Sequence, residues 1–163
     1  MLSLPQTGHE HHGKLIPHVD QLAVIADTIG YVPSDVLGAR LVKECRFIND
    51  QLVPHMQAAE ATLYPELERL VQNRHSMTPM RREHEEMRRL IDDLGRMRDR
   101  FVSDHVGRAE EMGLCRILYR MFSIVKVHLA EEELYLGVLD HNLSDDEKDA
   151  LARAMDHAVA APM

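Results

Sequence analysis

Residues 108–139 read RAEEMGLCRILYRMFSIVKVHLAEEELYLGVL. Leu114, Ile117, Leu118, Met121, Ile124, Val125, His128, Glu132, Tyr135 and Leu139 recur every three or four residues, the period of one face of an α-helix. His128 and Glu132 lie at the middle of that face, four residues apart and so one above the other. An imidazole and a carboxylate in an apolar stripe lose water on burial and require a partner. A metal ion partners both, and this donor pair suits iron, manganese or zinc. A His–Glu hydrogen bond is the plainer alternative.

The same period marks three more long helices. Residues 13–30 carry Leu15, His18, Leu22, Ile25 and Ile29 on one face and stop at Gly30. Ser34 then offers an N-cap. Residues 35–72 carry Leu41, Cys45, Ile48, Leu52, Met56, Ala59, Leu63, Leu67 and Leu70. Pro54 and Pro65 interrupt this segment; the stripe keeps phase across both, so one kinked helix is expected. Thr78 and Pro79 open a helix over residues 79–106, with Met80, His84, Met87, Ile91, Leu94 and Val102 inward. A fresh cap at residues 142–147 predicts a short fifth helix over 145–157. Four long helices with short connections predict an all-α, up-down-up-down four-helix bundle. The expected division is a flexible segment at 1–12, the bundle at 13–143, and the C-terminal helix and tail at 144–163.

Composition narrows the function. A chain of 163 residues is one domain, and 45% apolar with 28% charged residues is ordinary for a globular protein. The net charge of −8 argues against a nucleic-acid partner and an anionic membrane surface. No apolar run approaches the ~20 residues of a membrane span. Residues 1–8 lack the basic region and apolar core of a secretory signal. Cys45 and Cys115 show no C-x-x-C spacing and read as core residues, so a cytoplasmic location is expected.

Eleven histidines are the outlying number. His18 sits on the apolar face of the first helix and His84 at the edge of that of the third. His55 and Glu60 flank the apolar face of the second, with Ala59 between them. One inward histidine alone is ordinarily a hydrogen-bonded core residue. Four, one per helix, together with Glu60 and Glu132, point to metal ligation. His9, His11 and His12 read as a flexible polar terminus, and His75, His105, His141 and His157 as solvated residues at breaks or helix ends. Met56, Met80, Met87 and Met121 read as core. Tyr64 and Tyr135 read as packing residues, with a place near the metal cavity as the alternative.

These residues resemble the hemerythrin-like family, the HHE cation-binding domain. The resemblance is carried by IPHVDQL at 16–22, VPHMQAAEATLYP at 53–65, REHEEM at 82–87 and VHLAEEELYL at 127–136, and it covers about residues 12–142. It implies a four-helix bundle around a non-haem di-iron centre bridged by two carboxylates. It also implies dioxygen, peroxide or nitric oxide as small ligands. Two positions depart from the family pattern. Ala59 stands four residues after His55, where a carboxylate is usual, and Glu60 is expected to substitute from the next position. Arg88 stands where many members carry a second histidine. The expected metal ligands are therefore His18, His55, Glu60, His84, His128 and Glu132. They suffice for two under-ligated irons or for one well-held ion, with manganese or zinc as lesser occupants.

Two functions from different classes follow. In one, iron binds or activates dioxygen or peroxide, as a carrier, a sensor, an oxidase or a peroxide-consuming enzyme. In the other, the chain is a helical binding or regulatory module whose inward polar residues form a metal-free network or a structural zinc site. Replacing His128 with Ala separates them: iron is lost in the first case, and only stability changes in the second.

Overall fold

A computed structural model of the chain describes residues 4–103 and 106–160. Helix α1 spans Leu4–Thr28. Helix α2 covers residues 34–70 without a break, as α-helical stretches Ser34–Phe47, Val53–Ala58 and Tyr64–Leu70 joined by π-helical turns at Ile48–Leu52 and Ala59–Leu63. Helices α3 (Thr78–Ser103), α4 (Arg108–Asn142) and α5 (Asp145–Ala160) follow, and no strand occurs among the described residues.

Contacts along the helices fix an up-down-up-down arrangement. The α1–α4 seam is tied by the Leu4 N–H donating to Asp140 at 3.0 Å, by Lys126 to Asp20 at 3.0 Å, and by the Tyr119 hydroxyl donating to Asp27. Residue numbers rise along α1 as they fall along α4, so the two are antiparallel. Helices α2 and α3 run antiparallel through Glu68–Arg81 and Glu60–Arg88. Helices α3 and α4 do so through Glu86–Arg120 and Arg100–Glu110.

The two prolines of α2 do not simply kink it. Each follows directly on a π turn. The Val53 N–H reaches back five residues to the Ile48 carbonyl, and the Tyr64 N–H five residues to the Ala59 carbonyl. Proline has no N–H to donate and its ring collides with the carbonyl four residues earlier. A turn widened by one residue just ahead of the ring accommodates both defects. The stripe from Leu41 to Leu67 stays buried across both turns.

The apolar interior is divided in two. One cluster, including Leu22, Leu41, Leu94 and Leu118, fills the end of the bundle where α1 meets α2. The other, including Leu4, Leu63, Met80 and Leu139, fills the opposite end. Leu151 of α5 joins this second cluster, so α5 lies across the π-turned part of α2. Between the clusters lies a buried polar layer of His12, His55, His84, His128 and Glu132.

Three expectations are corrected. Helix α1 begins at Leu4, so the segment 4–12 expected to be flexible is helical, with Leu4 buried. Its inward face runs Leu4, Gly8, His12, Leu15, Val19 and Leu22, leaving His18 half-exposed. In α3 the inward residue near the end is Phe101, while Val102 is 61% exposed. His105 lies outside the described residues.

Glycine substitutions test the packing. A Cβ on Gly38 would stand 2.9 Å from the Phe101 carbonyl oxygen and 3.2 Å from its carbon, whereas one on Gly95 meets nothing within 4 Å. Helix propensity favours Ala over Gly by about 1 kcal/mol, but forcing two backbones apart costs about 1–3 kcal/mol. Urea unfolding should show Gly38→Ala destabilised by up to about 2 kcal/mol and Gly95→Ala stabilised by about 0.5–1 kcal/mol. Equal effects at the two sites would contradict the close α2–α3 approach.

Candidate metal centre

Each long helix turns one imidazole into the polar layer: His12 from α1, His55 from α2, His84 from α3 and His128 from α4, all buried. Glu132, one turn beyond His128, is 1% exposed. Four of the residues expected from the sequence, His55, His84, His128 and Glu132, are thus brought together.

His18 is not among them. Its ring stacks on Phe47 at 3.9 Å, and its Nδ1 faces Glu44 at 3.6 Å. It stands six residues beyond His12, about 9 Å along the helix axis. His12 occupies the place expected for it. The signal was present: stepping back from Leu22 through Val19 and Leu15 by threes and fours arrives at His12, Gly8 and Leu4.

Glu60 is also displaced. It lies in the second π turn and faces α3, where Arg88 holds it with two bonds of 2.9 and 2.8 Å. The His84 Nδ1–H donates to the same carboxylate at 2.8 Å. Glu60 therefore stands behind an imidazole rather than between two metals. Ala59, where the family pattern has a carboxylate, packs in the second apolar cluster.

A carboxylate stands behind three of the four rings. Behind His84 stands Glu60, behind His128 stands Glu83 at 2.7 Å from Nδ1, and behind His12 stands Glu133 at 3.1 Å from Nδ1. At His84 and His128 the carboxylate takes the Nδ1–H and leaves Nε2 as the lone-pair nitrogen of a neutral ring, whereas His12 lies between two carboxylates and donates to both when protonated. The Nε2 atoms of His84 and His128 face each other at 2.9 Å. With both Nδ1–H groups committed outward, the one O–H aimed at this pair among the described residues is that of Tyr64, 3.1 Å from His84 Nε2 and 3.4 Å from His128 Nε2. One proton cannot satisfy two facing lone pairs. On the other side, His12 Nε2 and His55 Nε2 approach the same oxygen, Glu132 Oε2, at 3.0 and 2.9 Å. Glu132 Oε1 is buried with no partner.

Electrostatics agree. Burial, and for His84 the neighbouring His128, push the pKa values of His84 and His128 down to about 4, so both rings are neutral near pH 7. Burial alone would raise Glu132, but His55, His12 and His128 hold it well below the usual carboxylate range. Burial opposes protonation of His12, yet Glu132 and Glu133 together raise it. Burial, then the charges of Glu132, Glu60 and Glu83, keep the Tyr64 phenol protonated. The layer is electron-rich at its centre and short of positive charge.

A cation fits. An ion about 2.1 Å from two ligand atoms at a right angle separates them by about 3.0 Å. The facing imidazole pair and the two contacts to Glu132 have this spacing. His12, His55 and Glu132 bring one ligand atom each within 4.8 Å of one another. The unpartnered Glu132 Oε1 provides a further donor. Only Glu132 among the expected carboxylates points inward. Tyr64, Glu83 and Glu133 adjoin the imidazoles as well, and apolar spacing alone does not single them out.

The model of the hemerythrin HHE cation-binding domain family matches residues 6–139, most of the chain, and the chain belongs to that family. No curated protein and no solved structure matches it.

Acid should weaken the metal-free protein. Unfolded imidazoles take up protons near pH 6.5, whereas His84 and His128 refuse them until about pH 4. The unfolded state then binds more protons across this window, so stability falls as pH drops from about 6.5 to about 4. The raised carboxyls of Glu83 and Glu131 act in the opposite sense above pH 4.5, and His12 acts only above pH 6.5. Thermal unfolding after chelation should show the acid slope, and His128→Gln should reduce it. An unchanged slope in that variant would contradict a buried neutral ring.

Proposed function

We propose that this protein holds iron in the His/Glu layer and binds or activates dioxygen or peroxide there, with nitric oxide as a further small ligand. One observation carries the reading. Four imidazoles, one from each of four helices, and one ionised carboxylate converge inside an apolar bundle, with the Nε2 atoms of His84 and His128 facing each other and those of His12 and His55 meeting one Glu132 oxygen. Imidazole with carboxylate is a donor set for redox-active iron, which supplies electron transfer to such ligands when bound.

The residues divide the work. His12, His55, His84, His128 and Glu132 would hold the metal. Glu133, Glu60 and Glu83 fix the tautomer and orientation of three of the rings and raise their basicity. Arg88 neutralises Glu60 and keeps it outside the centre. The two apolar clusters exclude bulk water from either side. With one inward carboxylate in place of two, open positions remain for a small ligand. This favours an oxidase or peroxide-consuming role over inert storage.

No helix among the described residues is long and apolar enough to cross a membrane. The cysteines are unpaired and the net charge is −8, which supports a cytoplasmic protein with no nucleic-acid partner.

Anaerobic loading with Fe(II), desalting and elemental analysis of the untagged chain test the reading. About two irons per chain are expected, falling in Glu132→Gln and in His128→Ala. A folded protein that retains no iron, or that keeps zinc while iron washes away, would overturn it.

A further inference from the structure

We propose that Tyr64 is itself a metal ligand, completing with His84 and His128 a position separate from that of His12, His55 and Glu132, and that it binds ferric iron there as the phenolate. This rests on the iron reading above.

The geometry is that of three donors around one ion. Tyr64 is fully buried. Its oxygen and the two Nε2 atoms form a triangle with edges of 2.9, 3.1 and 3.4 Å. Ligands about 2.1 Å from a metal are separated by about 3.0 Å at a right angle and about 3.4 Å at the tetrahedral angle. All three edges lie close to that range. As a purely hydrogen-bonded trio the arrangement fails, because the single Tyr64 proton serves only one of two facing lone pairs.

Charge gives the second argument. Anionic donors for a ferric ion are scarce on this side, with Glu132 Oε1 the unpartnered carboxylate oxygen in the layer. Ala59 carries none, and Glu60 is bound to Arg88 and to the back of His84. The remaining carboxylate, Glu132, presents one oxygen to His12 and His55. A phenolate supplies the missing negative charge from the same stretch of α2. The Arg81 guanidinium lies over the Tyr64 ring, 5.3 Å from its centroid, and adds positive charge there.

The backbone explains the aim. Tyr64 closes the second π turn and precedes Pro65, and its N–H donates to the Ala59 carbonyl. The widened turn lets two consecutive side chains, Leu63 and Tyr64, both be buried, one in the apolar cluster and one reaching the histidines. On ligation the phenol O–H bond breaks, an iron–oxygen bond forms, and the proton passes to solvent. No electron is transferred in this step.

Ferric iron in the full chain is the probe. The loaded, air-oxidised protein should show a visible phenolate-to-iron charge-transfer band and, on excitation within it, resonance Raman modes of a coordinated phenolate. Tyr64→Phe should abolish both and lower iron from about two to about one per chain, while Tyr135→Phe keeps both. Iron bound without phenolate modes in the wild-type protein, or a band that survives in Tyr64→Phe, would overturn the assignment and leave the iron reading standing. The wild-type Raman spectrum decides the matter even if Tyr64→Phe does not fold. Absence of bound iron would overturn both.

Discussion

His84 Nε2 and His128 Nε2 face each other across 2.9 Å in the middle of an apolar bundle, each ring having given its other N–H to a carboxylate behind it. This arrangement constrains everything around it. Two bare lone pairs at that distance repel unless a positive charge lies between or beside them, and burial denies them water. Protonation is not an economical solution, since burial keeps both rings neutral down to about pH 4. A metal ion held there would provide the charge and accept both lone pairs. The same logic extends to Glu132, which stays ionised at 1% exposure because imidazoles surround it, and whose Oε1 has no other partner. Division of the core into two apolar clusters then follows, because the polar layer cannot merge with either.

The prolines of α2 shape the centre through the backbone. Pro54 and Pro65 each impose a π turn, and each turn displaces the following residues around the helix axis by one position. The second turn carries Glu60 toward α3 and sends Ala59 and Leu63 into the apolar cluster beneath α5. Arg88 then meets Glu60 as an ion pair at the rim, with Arg88 42% exposed. The cation at a usual ligand position and the carboxylate one residue out of place thus compensate each other outside the centre. The inward-facing set is richer in imidazole and poorer in carboxylate than the family pattern implies.

Much of this was legible in the sequence. Four helices with a fifth beyond them follow from apolar spacing and caps, and the burial of His55, His84, His128 and Glu132 obeys the same spacing. His12 was obscured by its neighbours: His9, His11 and His12 with Gly8 and Gly13 look like a polar end, and His18 offered a nearer candidate one residue off the true face. Glu60 faces α3 because the chain makes a π turn where the apolar spacing alone indicates a regular α-helix. Glu83 and Glu133 carry no signal of their own. Each lies on a charged face, and only its partner imidazole distinguishes it from a solvated residue.

X-ray absorption at the iron edge of the loaded protein tests most directly whether these imidazoles converge on a cation. The structure predicts a nitrogen-rich inner shell with the outer-shell scattering of about two imidazole rings per iron. Iron surrounded by oxygen alone, without imidazole scattering, would contradict it.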